Sequence, residues 1–324
     1  MTETSHPILS TIKPVVDAWK HVHIHEMAIE AVSEWMAYES LPWPDFRFPV
    51  IPDGNDADTM DFIFLTASIN FAFTDFERHV IFTTNDGGTE RSDSDAMMAC
   101  LKRASDAGTP ILEGKYLASV DRFDLERIFA GNIEMPMLDE RVEIFHELGG
   151  VLEEHYEGRF HNFLKAGPRT TSAALERLIE TFPSFRDESQ YHGQRVAFQK
   201  RAQLLLWQLH SRFRADAYFA LDDPDELTVF ADYIVPVALR RLDIMSYSAE
   251  LEDAINARRV IPRDSEEEVE IRAATIWACH LLTQTINERR PADRQVIDPV
   301  IDTRLWTHYH ETHWPHHLTI TTAY

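Results

Sequence analysis

One carboxylate, Asp232, stands in the stretch FADYIVP (230–236) among six residues with no formal charge. Such surroundings strip hydration from a carboxylate, so it needs either a partner in the fold or a task in a reaction. The preceding DPDELTVF reads as a helix start, with Asp223 as cap, Pro224 in the first helical position and Glu226 at the reciprocal position. A helix over about 224–246 places Asp232 in its third turn, with Pro236 four residues on. Proline has no N–H, so the Asp232 carbonyl is expected to lose its helical bond, kinking the axis and opening the backbone around the carboxylate. A structural aspartate bonded to a neighbouring helix and a functional one both fit this pattern.

Lys200 is the second residue out of place. In FQKRAQLLLWQLHSRF, at about 100° per residue, it shares one stripe with Val196, Leu204 and Trp207, while Phe198, Leu205 and Leu209 line another. A lysine on a helix that is apolar nearly all round either snorkels outward along its stem or meets a buried anion. Asp302, in IDTRLW, lies near the start of the last expected helix, where the helix dipole by itself favours a carboxylate.

The elements that carry these residues read as mainly α-helical. Residues 11–40 look helical, with Pro14 in the first turn, and a proline-rich connector follows. MDFIFLTASINFAF (60–73) and HVIFTT (79–84), aromatic and β-branched and followed by the turn NDGG, are expected to be strands. Further helices are expected at about 95–107, 121–130, 138–156, 172–181, 191–214, 224–246, 248–258, 266–289 and 301–312. In SEEEVEIR, Ser265 with Glu268 forms a capping box, so the acidic run reads as helix-start chemistry rather than metal ligation. The chain thus reads as one domain over 1–324, with an N-terminal helix and β element in 1–90 and a helical body in 91–312.

Composition narrows the function classes. Asp and Glu outnumber Lys and Arg 54 to 31, a formal net charge of -23, and no basic patch is visible, which argues against binding a nucleic acid polymer. A small anion remains admissible, because one or two buried cations can hold it. No run of about 18 apolar residues appears, and the first residues lack a secretory pattern, so a cytoplasmic protein with no membrane partner is expected. Cys100 and Cys279 lie in no zinc-type spacing and read as buried thiols. HVHIHE (21–26) and HYHETHWPHH (308–317) supply histidines, but His21, His23 and His25, spaced by two, diverge on a helix; there is also no His-Asp dipeptide and no HExxH. No metal ligand and no cofactor is therefore assigned. Two rival readings are a metal-dependent helical phosphohydrolase and a non-enzymatic acidic interaction module; oligomeric state is not readable.

Eight segments in order resemble the queuosine salvage protein family, the queuosine 5'-phosphate N-glycosylases: SINFAF (68–73), PMLDERVEIFHELGGVL (136–152), FPSFRD (182–187), YHGQRVAFQKRAQLL (191–205), LTVFADYIVP (227–236), YSAELEDAI (247–255), EVEIRAATI (268–276) and IDTRLW (301–306). The resemblance implies a mainly helical fold similar to helical DNA glycosylases, and hydrolysis of the bond between ribose 5'-phosphate and queuine. It implies Asp232 as the catalytic aspartate, Lys200 as the essential lysine, Asp302 as an acid of the same pocket, and Asn70 and Phe73 as lining of the base site. The chemistry suits these types: a carboxylate stabilises positive charge building at C1', a lysine meets a phosphate, and Phe73, Phe230 and Tyr233 offer flat walls for a base. The family's arginine after the FADY tyrosine is here Ile234, and its NFCFW is here NFAFT, with Ala72 and Thr74.

Overall fold

The computed structural model describes residues 6–324 except 55, 166, 217 and 313. Its first elements are α1 (Leu9–Val16), β1 (Val22–Ile24), α2 (Glu26–Met36), α3 (Ala57–Ser68), β2 (Thr83–Asp86), β3 (Thr89–Ser92) and α4 (Asp93–Asp106). The middle of the chain forms α5 (Gly114–Leu117), α6 (Arg122–Ile128), α7 (Leu138–His155), α8 (Phe160–Lys165), α9 (Thr171–Thr181), β4 (Glu188–Tyr191), β5 (Gln194–Ala197) and α10 (Lys200–Phe213). Then come α11 (Val235–Arg241), β6 (Met245–Tyr247), α12 (Ala249–Asn256), α13 (Glu266–Glu288) and α14 (Asp298–Tyr309). The described strands form three antiparallel pairs, β1 with β6, β2 with β3 and β4 with β5. The fold is mainly α, as expected, and no helix among the described residues is long and apolar enough to cross a membrane.

The core is organised around α13, which packs against α1, α2, α11 and α14. Every residue from 268 to 279 is buried, so this stretch of the helix is enclosed on all sides, and it carries three charged side chains into the core, Glu268, Glu270 and Arg272. Ser265 caps it by accepting from the Glu268 amide. The reciprocal half of the expected box is missing: the Glu268 carboxylate accepts from the Asp264 amide and from the Tyr324 hydroxyl, joining the chain's last residue to the core.

The structure corrects several of the expected elements. MDFIFLTAS is helix α3, not a strand; Asp56 caps it through the Thr59 amide, and residues 59–69 are all buried. A helix enclosed on every face shows one continuous apolar run, which periodicity cannot separate from a buried strand. HVIFTT contributes only its last two residues to β2; the NDGG turn forms as expected and leads into a further strand, β3. The single helix expected over 11–40 is two helices separated by β1, whose Val22 to Ile24 pair with Tyr247 to Met245. Of the first histidine run only His23 lies on β1, with His21 before the strand and His25 at the N-cap position of α2, so the helical argument against that run does not apply.

The two remaining corrections lie beside the functional residues. The helix expected over 191–214 is a hairpin, β4 and β5, followed by α10 beginning at Lys200 itself. In place of the helix expected over 224–246 there is a single 3-10 turn, Pro224–Glu226, then irregular chain to Tyr233, and then α11. Asp223 does not cap its own turn; its carboxylate accepts from the Thr171 amide at the start of α9. Pro236 lies in the first turn of α11, where a missing N–H costs nothing, so there is no proline kink behind Asp232.

One buried ion pair ties these pieces together. Arg272 of α13 donates to both carboxylate oxygens of Asp187, at 2.9 and 2.5 Å, and both side chains are almost wholly buried. Asp187 also accepts from the Lys200 amide at 3.0 Å, and its backbone carbonyl accepts from the amides of Phe198 and Gln199. Arg272 Nε in turn donates to the Ala231 carbonyl at 3.2 Å. Asp187→Ala leaves the guanidinium buried without its carboxylate, which costs about 3–5 kcal/mol. Urea unfolding of the variant is expected to show that loss; a change within about 0.5 kcal/mol, typical of an ordinary surface substitution, contradicts the role given to the pair.

Candidate active site

Asp232 sits at the end of the irregular segment, immediately before α11. The segment is held at Ala231 by Arg272 and at Phe230, whose amide donates to Asp302 Oδ2 at 2.8 Å. A tight turn follows, in which the Asp232 amide bonds the Phe230 carbonyl at 2.7 Å. Asp232 Oδ1 then accepts from the amides of Ile234 and Val235, at 2.8 and 3.0 Å, which would otherwise be orphans at the helix start. Oδ2 makes no hydrogen bond among the described residues, and Asp232 lines a cavity of ≈ 290 Å³. Burial pushes this carboxyl above the usual range; the Lys200 charge and the two backbone amides pull the other way.

Lys200 reaches the same cavity from the first turn of α10. Gln199 before it adopts a left-handed conformation (φ 52°), which breaks the hairpin from the helix. Lys200 Nζ donates to Asn70 Oδ1 at 3.0 Å and more weakly to the Asn70 carbonyl at 3.4 Å. The segment around Asn70 is gripped by cations along its whole length. Arg201 donates to the Ser68 carbonyl, and Arg141 to the carbonyls of Ile69, Phe71 and Ala72. Both arginines are fully buried, and burial pushes Arg141 down to about 9 and Arg201 to about 10. Burial likewise lowers Lys200, with Asp232 the foremost group opposing that shift.

Asp302 comes from α14, which starts at Asp298, three residues before the expected start at 301, so the dipole argument for Asp302 falls away. Burial and then the Asp232 charge raise its carboxyl well above the ordinary range, so it is the carboxyl that holds a proton more readily. Three helices each turn one face to the cavity: Ser94, Asp95 and Met98 of α4; Lys200, Leu204 and Gln208 of α10; and Asp302, Trp306 and Thr303 of α14, continued by His310. Phe230, Phe46 and Phe48 complete an apolar wall, and the Trp306 and His310 rings stack at 4.3 Å. Against one lysine the cavity sets three carboxyl groups, Asp95, Asp232 and Asp302.

The structure therefore gathers Asp232, Lys200, Asn70, Phe230 and Asp302 around one cavity and leaves Tyr233 and Phe73 out of its lining. Tyr233 points the other way. Its hydroxyl donates to Asp93 Oδ1 at 3.0 Å and its ring stacks on His316 at 4.5 Å, in the wall of a second cavity of ≈ 230 Å³. Thr74 and Ile234 line that second cavity too. Phe73 lines a small crevice with Tyr233 and Tyr324, with the Arg141 guanidinium 5.5 Å from its ring. Trp306, His310 and Asp95 were not anticipated, although the spacing of four that joins Asp302, Trp306 and His310 was open to view in the sequence.

Among the described residues one group has metal-ligand character: His21, Glu266 and Glu270, whose ligand atoms lie within 4.8 Å of one another. It lines neither cavity. Glu270 accepts from the amides of Lys20 and His21 and from the Tyr191 hydroxyl, and Glu266 bonds Lys20 and His192, so these groups have structural partners of their own. Of the C-terminal histidines, His310, His316 and His317 are packed into the fold, and His313 lies outside the described residues.

Comparison with known proteins adds an independent line. Residues 50–324 match the family model described as queuosine salvage protein. The chain is 38% identical over 283 residues to a protein of Sphaerobacter thermophilus named queuosine 5'-phosphate N-glycosylase/hydrolase, covering 87% of this chain and 86% of the relative. Relatives of the same name from Mus musculus, 29% identical over 88% of this chain and 85% of theirs, and from Schizosaccharomyces pombe, 31% identical over 74% and 72%, are also similar.

The raised Asp302 carboxyl carries a stability consequence. A group whose pKa is higher in the folded than in the unfolded state stabilises the fold while protonated, and that contribution is lost as pH rises through the raised value. Asp302→Asn keeps an oxygen for the Phe230 amide and mimics the protonated form. Its melting temperature is expected to gain on the wild type as pH rises from the ordinary carboxylate range; a gap that narrows or reverses with rising pH contradicts the assignment.

Proposed function

Because the chain belongs to the queuosine salvage protein family, we propose that it hydrolyses the N-glycosidic bond of queuosine 5'-monophosphate, releasing queuine and ribose 5-phosphate, with Asp232 acting at C1'. The observation that carries this reading is the placement of Asp232 and Lys200 on one aromatic-walled cavity, with one Asp232 oxygen fastened to backbone amides and the other unbonded among the described residues. Breaking the bond leaves positive charge on the ribose ring, and a carboxylate already in place stabilises that charge without reorganising. Water supplies hydroxide to C1' and a proton to the departing base, so atoms balance with no other reactant. One preorganised electrostatic contact of this kind is worth about 3–4 kcal/mol of barrier.

Each neighbour has a role in this scheme. Lys200, pinned by Asn70 and buried, keeps Asp232 ionised by its charge. In this scheme Asp302, the more readily protonated carboxyl lining the same cavity, donates toward the leaving base. A 7-deazaguanine has carbon where guanine has N7, so the sugar-side carboxylate carries more of the barrier. The flat base fits against Phe230 and Trp306, and the cationic amine of the queuine side chain suits a cavity rich in carboxyl groups.

Incubation of the purified protein with queuosine 5'-monophosphate is expected to yield free queuine by chromatography. Asp232→Asn and Lys200→Met are each expected to lower kcat/KM at least about a hundredfold, the scale of losing one such contact. Because Asp232 is raised and Lys200 lowered, the pH profile of kcat/KM is expected to be narrowed from both sides, its acid limb above about 4 and its basic limb below about 10, the ordinary values of the two groups. Full turnover by Asp232→Asn overturns the catalytic assignment.

A further inference from the structure

The stretch LTITTAY (318–324) forms no regular element, yet all but Ile320 and Thr322 of it is buried. It is laid along the chain that leads into α13: the Ile261 amide donates to the Leu318 carbonyl at 2.7 Å, and the Thr319 hydroxyl donates to the Ile261 carbonyl at 3.0 Å. These contacts carry Tyr324 into the core, where it is 4% exposed. A tyrosine enclosed to that degree needs a partner for its hydroxyl, and here the hydroxyl donates to Glu268 Oε1 at 3.0 Å. Burial and then the Glu268 charge push it well above the usual tyrosine range, so it stays a donor.

Tyr324 lies outside the lining of the first cavity, but it meets both supports on which Asp232 and Lys200 rest. The first is Arg272. Its guanidinium carbon is 4.5 Å from the Tyr324 ring centroid and 4.0 Å from that of Phe198, two residues ahead of Lys200. Glu268, which takes the Tyr324 hydroxyl, lies 3.6 Å from Arg272 Nη1. The guanidinium that bonds Asp187 and the Ala231 carbonyl is thus bounded by the ring of Tyr324 and by the carboxylate to which its hydroxyl is bonded. The second support is the stretch 68–72: the Ala72 amide donates to the main-chain oxygen of Tyr324 at 3.4 Å. Ala72 holds a left-handed backbone (φ 46°), a conformation that costs a non-glycine residue. It stands two residues after Asn70, the partner of the Lys200 ammonium.

We infer that Tyr324 is a positioning residue for the reaction. Its ring and hydroxyl fix Arg272, its main-chain oxygen fixes residue 72, and through these two supports the Asp232 carboxylate and the Lys200 ammonium keep one relative placement. The inference rests on the function proposed above for the first cavity and adds to it a residue from outside the cavity. Tyr324 acts through Arg272 and Asn70, so its loss disturbs the alignment of the reacting groups more than the holding of the substrate. That is a loss in kcat with KM unchanged.

Tyr324→Met keeps a flexible apolar side chain in the core and removes ring and hydroxyl together, while Tyr324→Phe removes the hydroxyl alone. Rates on queuosine 5'-monophosphate and amide hydrogen exchange are measured for both variants and the wild type, below the melting temperature of each. Tyr324→Met is expected to lower kcat about tenfold or more, since a misplacement of about 1 Å made far from the chemistry can cost a hundredfold, and to leave KM unchanged. It is also expected to speed exchange at the amides of Lys200, Phe230, Ile234 and Val235, whose acceptors are the carboxylates of Asp187, Asp302 and Asp232. The amides of α6, which packs on α4 and α7, are expected to exchange as in the wild type. Tyr324→Phe, with the ring still on Arg272, is expected to recover most of the lost kcat; should Tyr324→Met not fold, Tyr324→Leu takes its place. Wild-type kcat or wild-type exchange at those four amides in Tyr324→Met overturns the inference. So does faster exchange throughout, α6 included, with kcat and KM changed together, which is a general loss of stability. Failure of the wild type to release queuine is a separate result: it sinks the proposed function, and the exchange still decides whether Tyr324 holds the two segments.

Discussion

The contact between Asp187 and Arg272 is the joint on which the site depends. It is a buried pair, so its own net contribution to stability is small, since desolvating two ions offsets most of their attraction. Its value is positional. Asp187 accepts from the first amide of α10 and so determines where Lys200 begins, while Arg272 donates to the carbonyl of Ala231 and so determines where Asp232 begins. A single ion pair thus connects the backbone origins of two residues that line the cavity, and its cation comes from α13, around which the core is organised. The segments FPSFRD and EVEIRAATI, which contribute no side chain to the cavity lining, matter for this reason.

Around that joint the protein spends buried cations on backbone carbonyls. Arg141, Arg201 and Lys200 between them hold the carbonyls of residues 68–72, and this irregular stretch would otherwise carry unsatisfied acceptors into the core. Asn70 is thereby fixed, and through Asn70 the lysine ammonium. The cost is visible in the lowered pKa of all three cations. The same enclosure raises Asp232 and Asp302, so the groups that would do chemistry are displaced toward neutrality by burial, and their mutual charges decide which of them stays ionised.

The chemical character of single residues pointed to the candidate site more directly than the pattern of the elements did. Asp232 and Lys200 were conspicuous because each breaks an apolar run, and both do line the cavity. Asp232 is not inside a kinked helix but ahead of a short one, and Lys200 is not mid-helix but opens α10. In both places a capping residue or a left-handed turn, Asp232 itself and Gln199, ends one conformation where the hydrophobic pattern runs on unbroken. The same masking turned α3 into an apparent strand. Where α14 was recognised as a helix, its spacing of four already held Asp302, Trp306 and His310 on one face, and only a decision about which face was missing.

What the sequence by itself determined is the inventory: an acidic, mainly helical chain, a family of ordered segments, one carboxylate and one lysine placed where burial makes them costly, and the periodic faces of the long helices. Those are local properties, governed by propensity and by repeats of about 3.6 residues. Tertiary structure alone decided that residues 70, 200, 232 and 302 meet, that Tyr233 turns away from the carboxylate beside it, and that the basic groups at 258, 310 and 316 gather in a separate hollow. These are encounters between segments far apart along the chain, and they are selected by which buried donors find acceptors, a condition that is satisfied only once the whole chain is packed.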